Sequence, residues 1–279
     1  MKRFLFLMLA VTALAALAGA AGATTYYVST SGSDSNPGTS ALPWRTVQYA
    51  VNQIANGDTI IVRSGTYVGA RIGSSGASGA VRTLKSETVG GAILNSPSAS
   101  AAHGGILELE NYTTPVSYWV IDGFEVNGQS TYRAIDIRGN GATSCASNNT
   151  VKNCNAHHAK AGAGVSTGIF DGFHAYGLYE NNISHDNTEH GFYHSNSGGN
   201  YTVIRGNTSY ANAACGYHCN GDVSMGGSGK MQYCTWEKNT AYNNGTPNGG
   251  SALNGDGVCD SKYFNNLLYN NTASGMSIY

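Results

Sequence analysis

Charge is scarce in this sequence. Of 279 residues only 15 are Lys or Arg and 16 are Asp or Glu, a formal net charge of −1 at pH 7. That balance gives no basic footprint for nucleic acid. Long apolar runs are scarce too. One, Phe4 to Leu17, follows Lys2 and Arg3 and precedes the small residues Ala21-Gly22-Ala23. This is the pattern of an export signal, with the mature chain starting near Thr24. The run is too short and too Ala-rich for a membrane span, and no second one follows. The mature protein is therefore expected to be exported, either secreted or held in the periplasm or at the cell surface, with no membrane span. No Cys-x-x-Cys pair with matching His spacing occurs, so no structural zinc is expected.

What is present is Gly (38 residues), Tyr (18), Asn, Ser and Thr. Gly and Asn tolerate the left-handed backbone that tight turns need, so the composition suits many short strands. Six cysteines follow the signal, an even number that favours disulfides in an exported chain. Cys234 with Cys259, and Cys145 with Cys154, are the expected pairings.

Two markers recur with one variable period in the twenties and low thirties. Asn127, Asn153, Asn182, Asn207, Asn239 and Asn266 each follow an apolar stretch. Gly105, Ala134, Gly168, Gly191, Gly216, Gly250 and Gly275 each open one. Beyond the later Asn markers, His185, Tyr210, Tyr242 and Tyr269 share a column, followed by Asn187, Asn212, Asn244 and Asn271. A repeat of this length without helix-forming segments predicts a solenoid whose coils advance by one strand spacing, roughly 4.8 Å. The expected fold is all-β: a single-stranded right-handed parallel β-helix with stacked Asn amides and an apolar interior. Residues 1–23 form the signal, 24–104 an N-terminal cap with the first coils, and 105–279 the remaining coils. The apolar spacing of Val47, Ala50, Val51 and Ile54 predicts a helix between Trp44 and Ile54 that covers the open end. The last residues, Gly275 to Tyr279, fall inside a core strand, so the chain is expected to be a C-terminally truncated piece of a longer solenoid.

The stretch Tyr26 to Thr39, then Pro43 to Val47, Gly57 to Val62 and Gly65-Thr66-Tyr67, resembles the N-terminal region of pectate lyases of polysaccharide lyase family nine. Gly57 through Tyr67 is also similar to the start of chondroitinase B-like lyases. The resemblance implies a β-helix enzyme that cleaves uronate-containing polymer by calcium-assisted β-elimination. It further implies an aspartate-rich calcium motif opening a strand and a lysine base. Here the matching strand opening, Ala273 to Ser277, carries no carboxylate, and the earlier Glu189 to Tyr193 carries one.

Coils longer than the rest place insertions at residues 139–149, 156–165 and 223–233, which become loops walling a groove. Counted from Gly216 and Gly250, Asn220-Gly221-Asp222 aligns with Asn254-Gly255-Asp256. Asp222 and Asp256 would then lie side by side and, with Asp260 and the Asn oxygens, could hold calcium. Lys230 or His218 would remove the proton. The same Asn-Gly-Asp is also ordinary turn chemistry. An outward strip of Asp136, Phe170, Tyr193 and His218 suits a sugar ring, with His194 facing the opposite way. The expected partner is an acidic polysaccharide or other glycan, and the chain is expected to act as a monomer. Two other readings fit: a non-catalytic extracellular solenoid that binds glycan, and a glycosidase using two carboxylates.

Overall fold

The computed structural model describes residues 22–160 and 165–279; the export signal expected at 1–23 lies almost wholly outside them. The strands fall into three long sheets, each paired in parallel along the axis. The first runs from Thr25–Val28 through Thr150–Lys152 to Lys262–Phe264. The second runs from Gly65–Val68 through Asn155–His157 to Leu267–Tyr269. The third holds Ala70–Ile72, Gly105–Leu109, Arg133–Arg138, Thr167–Gly172, His190–Ser195, Tyr217–Asn220, Leu253–Asp256 and Met276–Ile278. One strand of each sheet makes a coil, so the chain is a parallel β-helix. Helix Val47–Gln53 lies at the N-terminal end with Val47, Ala50 and Val51 buried and Thr46 as its cap. Among the described residues, no helix is long and apolar enough to cross a membrane.

Coils turn at residues with left-handed backbone. Asn153, Asn181, Lys238 and Asn265 sit at one corner, with φ between 54° and 56°, and His158, Asp186, Ala211, Asn243 and Asn270 at the next. The residue after each corner points inward, and here the amides stack. Asn207 Oδ1 accepts from the backbone N–H of Asn182 (2.8 Å) and from its Nδ2 (3.0 Å). Asn239 and Asn266 continue that ladder, while Asn187, Asn212, Asn244 and Asn271 form a second. The ladder begins one residue later than the sequence markers imply. Cys154, not Asn153, occupies its first position, donating its backbone N–H to Asn182. Asn153 is the corner residue and bonds Asp122, and Asn127 belongs to the ring column, opposite His157.

That ring column is stacked as expected. His185, Tyr210, Tyr242 and Tyr269 follow one another at centroid separations of 4.7, 5.0 and 5.1 Å. Inside, Leu107, Ile135, Ile169, Phe192, Tyr217, Leu253 and Met276 share a column. All six cysteines are free thiols, so neither expected disulfide is formed. Cys145 sits against the Gly141 and Gly198 carbonyls, Cys154 is buried over Lys152, and Cys234 contacts His194.

The interior also holds a charge pair. Asp171 and His194 face inward on adjacent strands, with His194 Nδ1 2.6 Å from Asp171 Oδ2 and His174 Nδ1 3.0 Å from the other oxygen. Burial works against the Asp171 carboxylate, but the two imidazoles outweigh it and hold its pKa well below the usual range. Burial likewise disfavours the His194 imidazolium, and the Asp171 carboxylate lifts it well above its ordinary value.

Replacing Asn207 by Ala strands the buried N–H of Asn182 and removes three further amide bonds. The expected loss is at least about 2 kcal/mol of unfolding free energy, read from the denaturation midpoint. Asp171→Asn leaves a buried imidazole without its counter-charge and is expected to cost about 3 kcal/mol at neutral pH. The sign with pH follows from the two shifts. His194 contributes fully below its unfolded value and loses that contribution as pH rises through its raised folded value. Asp171 contributes above the ordinary carboxylate range and loses this only as pH falls through its lowered value. Thermal melts of the wild type should therefore decline on the alkaline side, and Asp171→Asn should flatten that decline.

Candidate functional site

The outer face of the third sheet carries the chemistry. Register stacks Glu108, Asp136, Phe170, Tyr193, His218 and Asn254 in one outward column. Beside it run Arg138, Gly172, Ser195, Asn220 and Asp256. The predicted strip of Asp136, Phe170, Tyr193 and His218 is thus formed, and His194 does face the interior.

A cleft of about 500 Å³ lies over this strip. Arg133, Arg138, Phe170 and Tyr193 form its floor, and Gly139, Val165, Asp222 and Met225 bring in all three insertions as walls. Of the second insertion, residues 161–164 lie outside the described residues. The wall after Asn220 begins with a short 3-10 turn, Val223–Met225, capped by Asp222, whose Oδ1 accepts from Ser224 N–H at 2.8 Å.

Asp136 is buried and does not present itself to a ligand. It holds Arg133 Nη1 at 2.9 Å and Arg138 Nε at 3.0 Å. Burial pushes its carboxyl up to about 8 against the pull of Arg133. Both guanidinium groups lie over the Phe170 ring, at 3.7 and 4.8 Å from its centroid. Phe170 in turn stacks on Tyr193 at 5.6 Å. The strip therefore sets two guanidinium groups against an aromatic ring, with the carboxyl groups of Asp136 and Glu108 behind them.

Tyr193 is half of the proton chemistry. Its phenol oxygen accepts a hydrogen bond from Asn220 Nδ2 at 3.0 Å, which leaves its own proton free. Burial raises its pKa, the Asn220 bond opposes this, and the Asp222 charge adds to the rise. Asp222, by contrast, is exposed, and its bonds from Ser224 lower its pKa.

His218 is at the predicted place, but both ring nitrogens are engaged: Nδ1 with His190 Nε2 at 3.1 Å and Nε2 with Asp256 Oδ2 at 3.2 Å. Burial lowers its pKa, Asp256 opposing, so the ring is neutral near pH 7. His190, pulled down to about 3 by burial and by His218, is neutral as well. His190, Cys215 and His218 bring their ligand atoms within 4.8 Å of one another, a set whose donor types suit zinc or copper. The proton positions oppose that use. The Cys215 backbone N–H donates to His190 Nδ1, which puts the His190 proton on Nε2, the atom a metal would need bare.

The expected calcium ligands do not gather. Asn220, not Asp222, is the strand neighbour of Asp256, because two more residues separate Gly250 from its strand than separate Gly216 from its own. Asp222 caps its turn, Asp256 meets His218 and Asn254, and Asp260 takes Gln232 Nε2 at 3.0 Å on a different corner. These three carboxylates do not form one ligand set. Lys230 is exposed and does not line the cleft. Arg133 and Arg138 were not anticipated. Their signal was the strand Arg133–Arg138 itself, in which both flank an outward Asp136.

Several solved structures share this fold. A pectate lyase, Pel9A, superposes with a TM-score of 0.54 at 17% identity, covering 89% of this chain and 71% of that one. A rhamnogalacturonan lyase gives 0.56 at 16% identity, covering 84% and 72%. A lacto-N-biosidase from Eubacterium ramulus gives 0.56 at 12% identity, covering 87% of this chain and 55% of that one. At these identities the likeness is one of fold. No curated protein matches the sequence. The model of the family described as "Pel9A-like, right handed beta helix region" matches residues 26–275, nearly all of the described coils, and the chain belongs to that family.

Proposed function

We propose that this protein is an exported polysaccharide lyase that cleaves a uronate-containing chain by β-elimination in the third-sheet cleft. The observation that carries this is the cleft itself. Two arginines, an aromatic floor and two titratable groups with opposed pKa shifts face one space walled by all three insertions. Tyr193 keeps its proton and Asp222 is ionised in that space, so they are its candidate acid and base. The similarity to a pectate lyase and a rhamnogalacturonan lyase points to the same substrate class.

The substrate carboxylate lies against Arg138 and Arg133, whose charge stabilises the carbanion-like state as the neighbouring C–H bond breaks. The ionised Asp222 carboxylate takes that proton. The electron pair forms the C4–C5 double bond, the C4–O bond breaks, and the leaving glycosidic oxygen receives the Tyr193 proton. Of the two expected bases, His218 has no free nitrogen for this step and Lys230 does not line the cleft. The arginines supply the neutralising charge, so the proposed rate does not depend on calcium.

The test is an ultraviolet assay for unsaturated uronide products on pectate, alginate and glycosaminoglycans, with calcium or chelator. Activity that survives the chelator is expected. Tyr193→Phe and Asp222→Asn should each lower kcat by about 10²- to 10⁴-fold. The rate should fall at acid pH as Asp222 protonates and at strongly alkaline pH as Tyr193 ionises, with a broad plateau between. A flat trace on every polymer from folded protein sinks the proposal and leaves the glycan-binding solenoid. New reducing ends without absorbance make the protein a hydrolase.

A further inference from the structure

The ring column of the second sheet holds imidazole in two neighbouring coils and phenol in the next three. Beyond Asn127 it reads His157, His185, Tyr210, Tyr242, Tyr269. Stacking calls for a planar group at each place but does not choose imidazole over phenol. The corner residue that follows each ring changes with it. Beside the three tyrosines stand Ala211, Asn243 and Asn270, and beside the two histidines stand His158 and Asp186, all with left-handed backbone. Imidazole therefore enters the column only where its neighbour can also bind a metal ion.

Within each coil the two side chains meet. His157 Nδ1 lies 2.6 Å from His158 Nδ1, and His185 Nδ1 lies 2.6 Å from Asp186 Oδ2. The strands pair His157 with His185, whose rings stack at 5.0 Å, and the His158 backbone N–H donates to the His185 carbonyl. The His158 ring stands edge-on to both, 4.8 Å from His157 and 6.0 Å from His185. Four donor atoms are thus gathered as two pairs on adjacent coils, one strand spacing (roughly 4.8 Å) apart. Glu125 Oε1 faces His157 Nε2 at 3.4 Å, which keeps the ring proton there and leaves Nδ1 bare. Burial lowers the His157 pKa, His185 and His158 lower it further, and Glu125 opposes them, so the ring is neutral near pH 7.

We infer that His157, His158, His185 and Asp186 form a binding site for a divalent metal ion of the zinc and copper kind. Three imidazoles and one carboxylate are a donor set that these ions favour, whereas calcium prefers oxygen alone. Asp186 and Glu125 balance the double positive charge. An ion between the pairs draws each side chain in by about 1 Å, to the metal–ligand distance of about 2.0–2.1 Å. His158 and Asp186 are exposed and have room for that movement. The ring protons must move as well: in the pairs, His158 and His185 carry theirs on Nδ1, and binding shifts both to Nε2. At His190 a backbone N–H fixes the proton on the nitrogen a metal needs, but among the described residues no backbone N–H bonds a ring nitrogen of these three histidines. The ion fastens two coils at the corner from which the insertion 156–165 leaves. It lies apart from the third-sheet cleft, so the lyase reading does not depend on it.

The experiment titrates zinc, copper and calcium separately into the protein by calorimetry, with no polyhistidine tag present. Zinc and copper should each bind one-to-one, and calcium should give no heat. His185→Tyr restores the ring of the later coils and so keeps the stack, and His158→Asn keeps a residue suited to the left-handed corner. Each should weaken zinc binding at least about tenfold, with the metal-free melting temperature unchanged or raised. Glu125→Gln, which leaves the donors in place, should weaken it about tenfold. Cys215→Ser should leave zinc binding intact. In ¹⁵N spectra zinc should move the Nδ1 signals of His157, His158 and His185 together. The inference is overturned if neither zinc nor copper binds, if His185→Tyr with His158→Asn binds zinc as tightly as the parent, or if binding is lost in Cys215→Ser instead.

Discussion

The Asn amide ladders are what the rest of the molecule depends on. Each ladder Asn fastens two neighbouring coils at once. Asn207 accepts from Asn182 in the coil before, donates back to the Tyr179 carbonyl, and reaches forward to Asn239. Buried backbone at a coil corner must find partners, and these side chains supply them. The first ladder ties the corner between the first and second sheets, which takes none of the three insertions. All three lie on the borders of the third sheet, one of them just beyond the second ladder at Ala159. The cleft lies over the third sheet because the inserted loops rise on both sides of it.

The same stacking marks where repetition stops. In the ring column, His157, His185, Tyr210, Tyr242 and Tyr269 are variations on one planar group, and stacking against each other accounts for a ring at each place. The outward column of the third sheet reads Glu108, Asp136, Phe170, Tyr193, His218, Asn254, passing from carboxyl groups through aromatic rings to an imidazole and an amide. Axial stacking does not demand such a series, because like residues stack better than unlike ones. A column that forgoes that gain along its length has some other constraint acting on it, and a ligand laid along the axis is one that differs along the strip.

Much of this was legible in the sequence, and the failures share a cause. The coil period, the capping helix, the three insertions and the opposed facing of His194 and His218 follow from periodicity and strand parity, which survive an error of a residue or two in alignment. Pairwise neighbours do not survive it. Runs such as Lys152-Asn153-Cys154 offer an Asn one place before the ladder position, and the left-handed corner that favours Asn there is indistinguishable by composition from the ladder itself. Between Gly250 and its strand lie two residues that Gly216 lacks, and so Asp256 meets Asn220 instead of Asp222. The Asp171–His194 pair escaped notice because an inward Asp is legible only once its partner on the next strand is placed.

Roles within the strip are decided by where protons sit, which residue type alone does not reveal. His218 is the kind of residue associated with proton transfer near neutral pH. Its surroundings spend both nitrogens, one on His190 and one on Asp256, and the direction of that spending is set two residues away by a backbone N–H at Cys215. Tyr193 starts with a less suitable pKa, yet Asn220 occupies only its oxygen and leaves its proton to be given. Asp222 keeps one oxygen outside its capping bond. The groups with open valences, Tyr193 and Asp222, line the cleft, and the groups with none hold Asp256 outside it. A site read from residue types would give the histidines the chemistry; the hydrogen bonds give it to the phenol and the wall carboxylate.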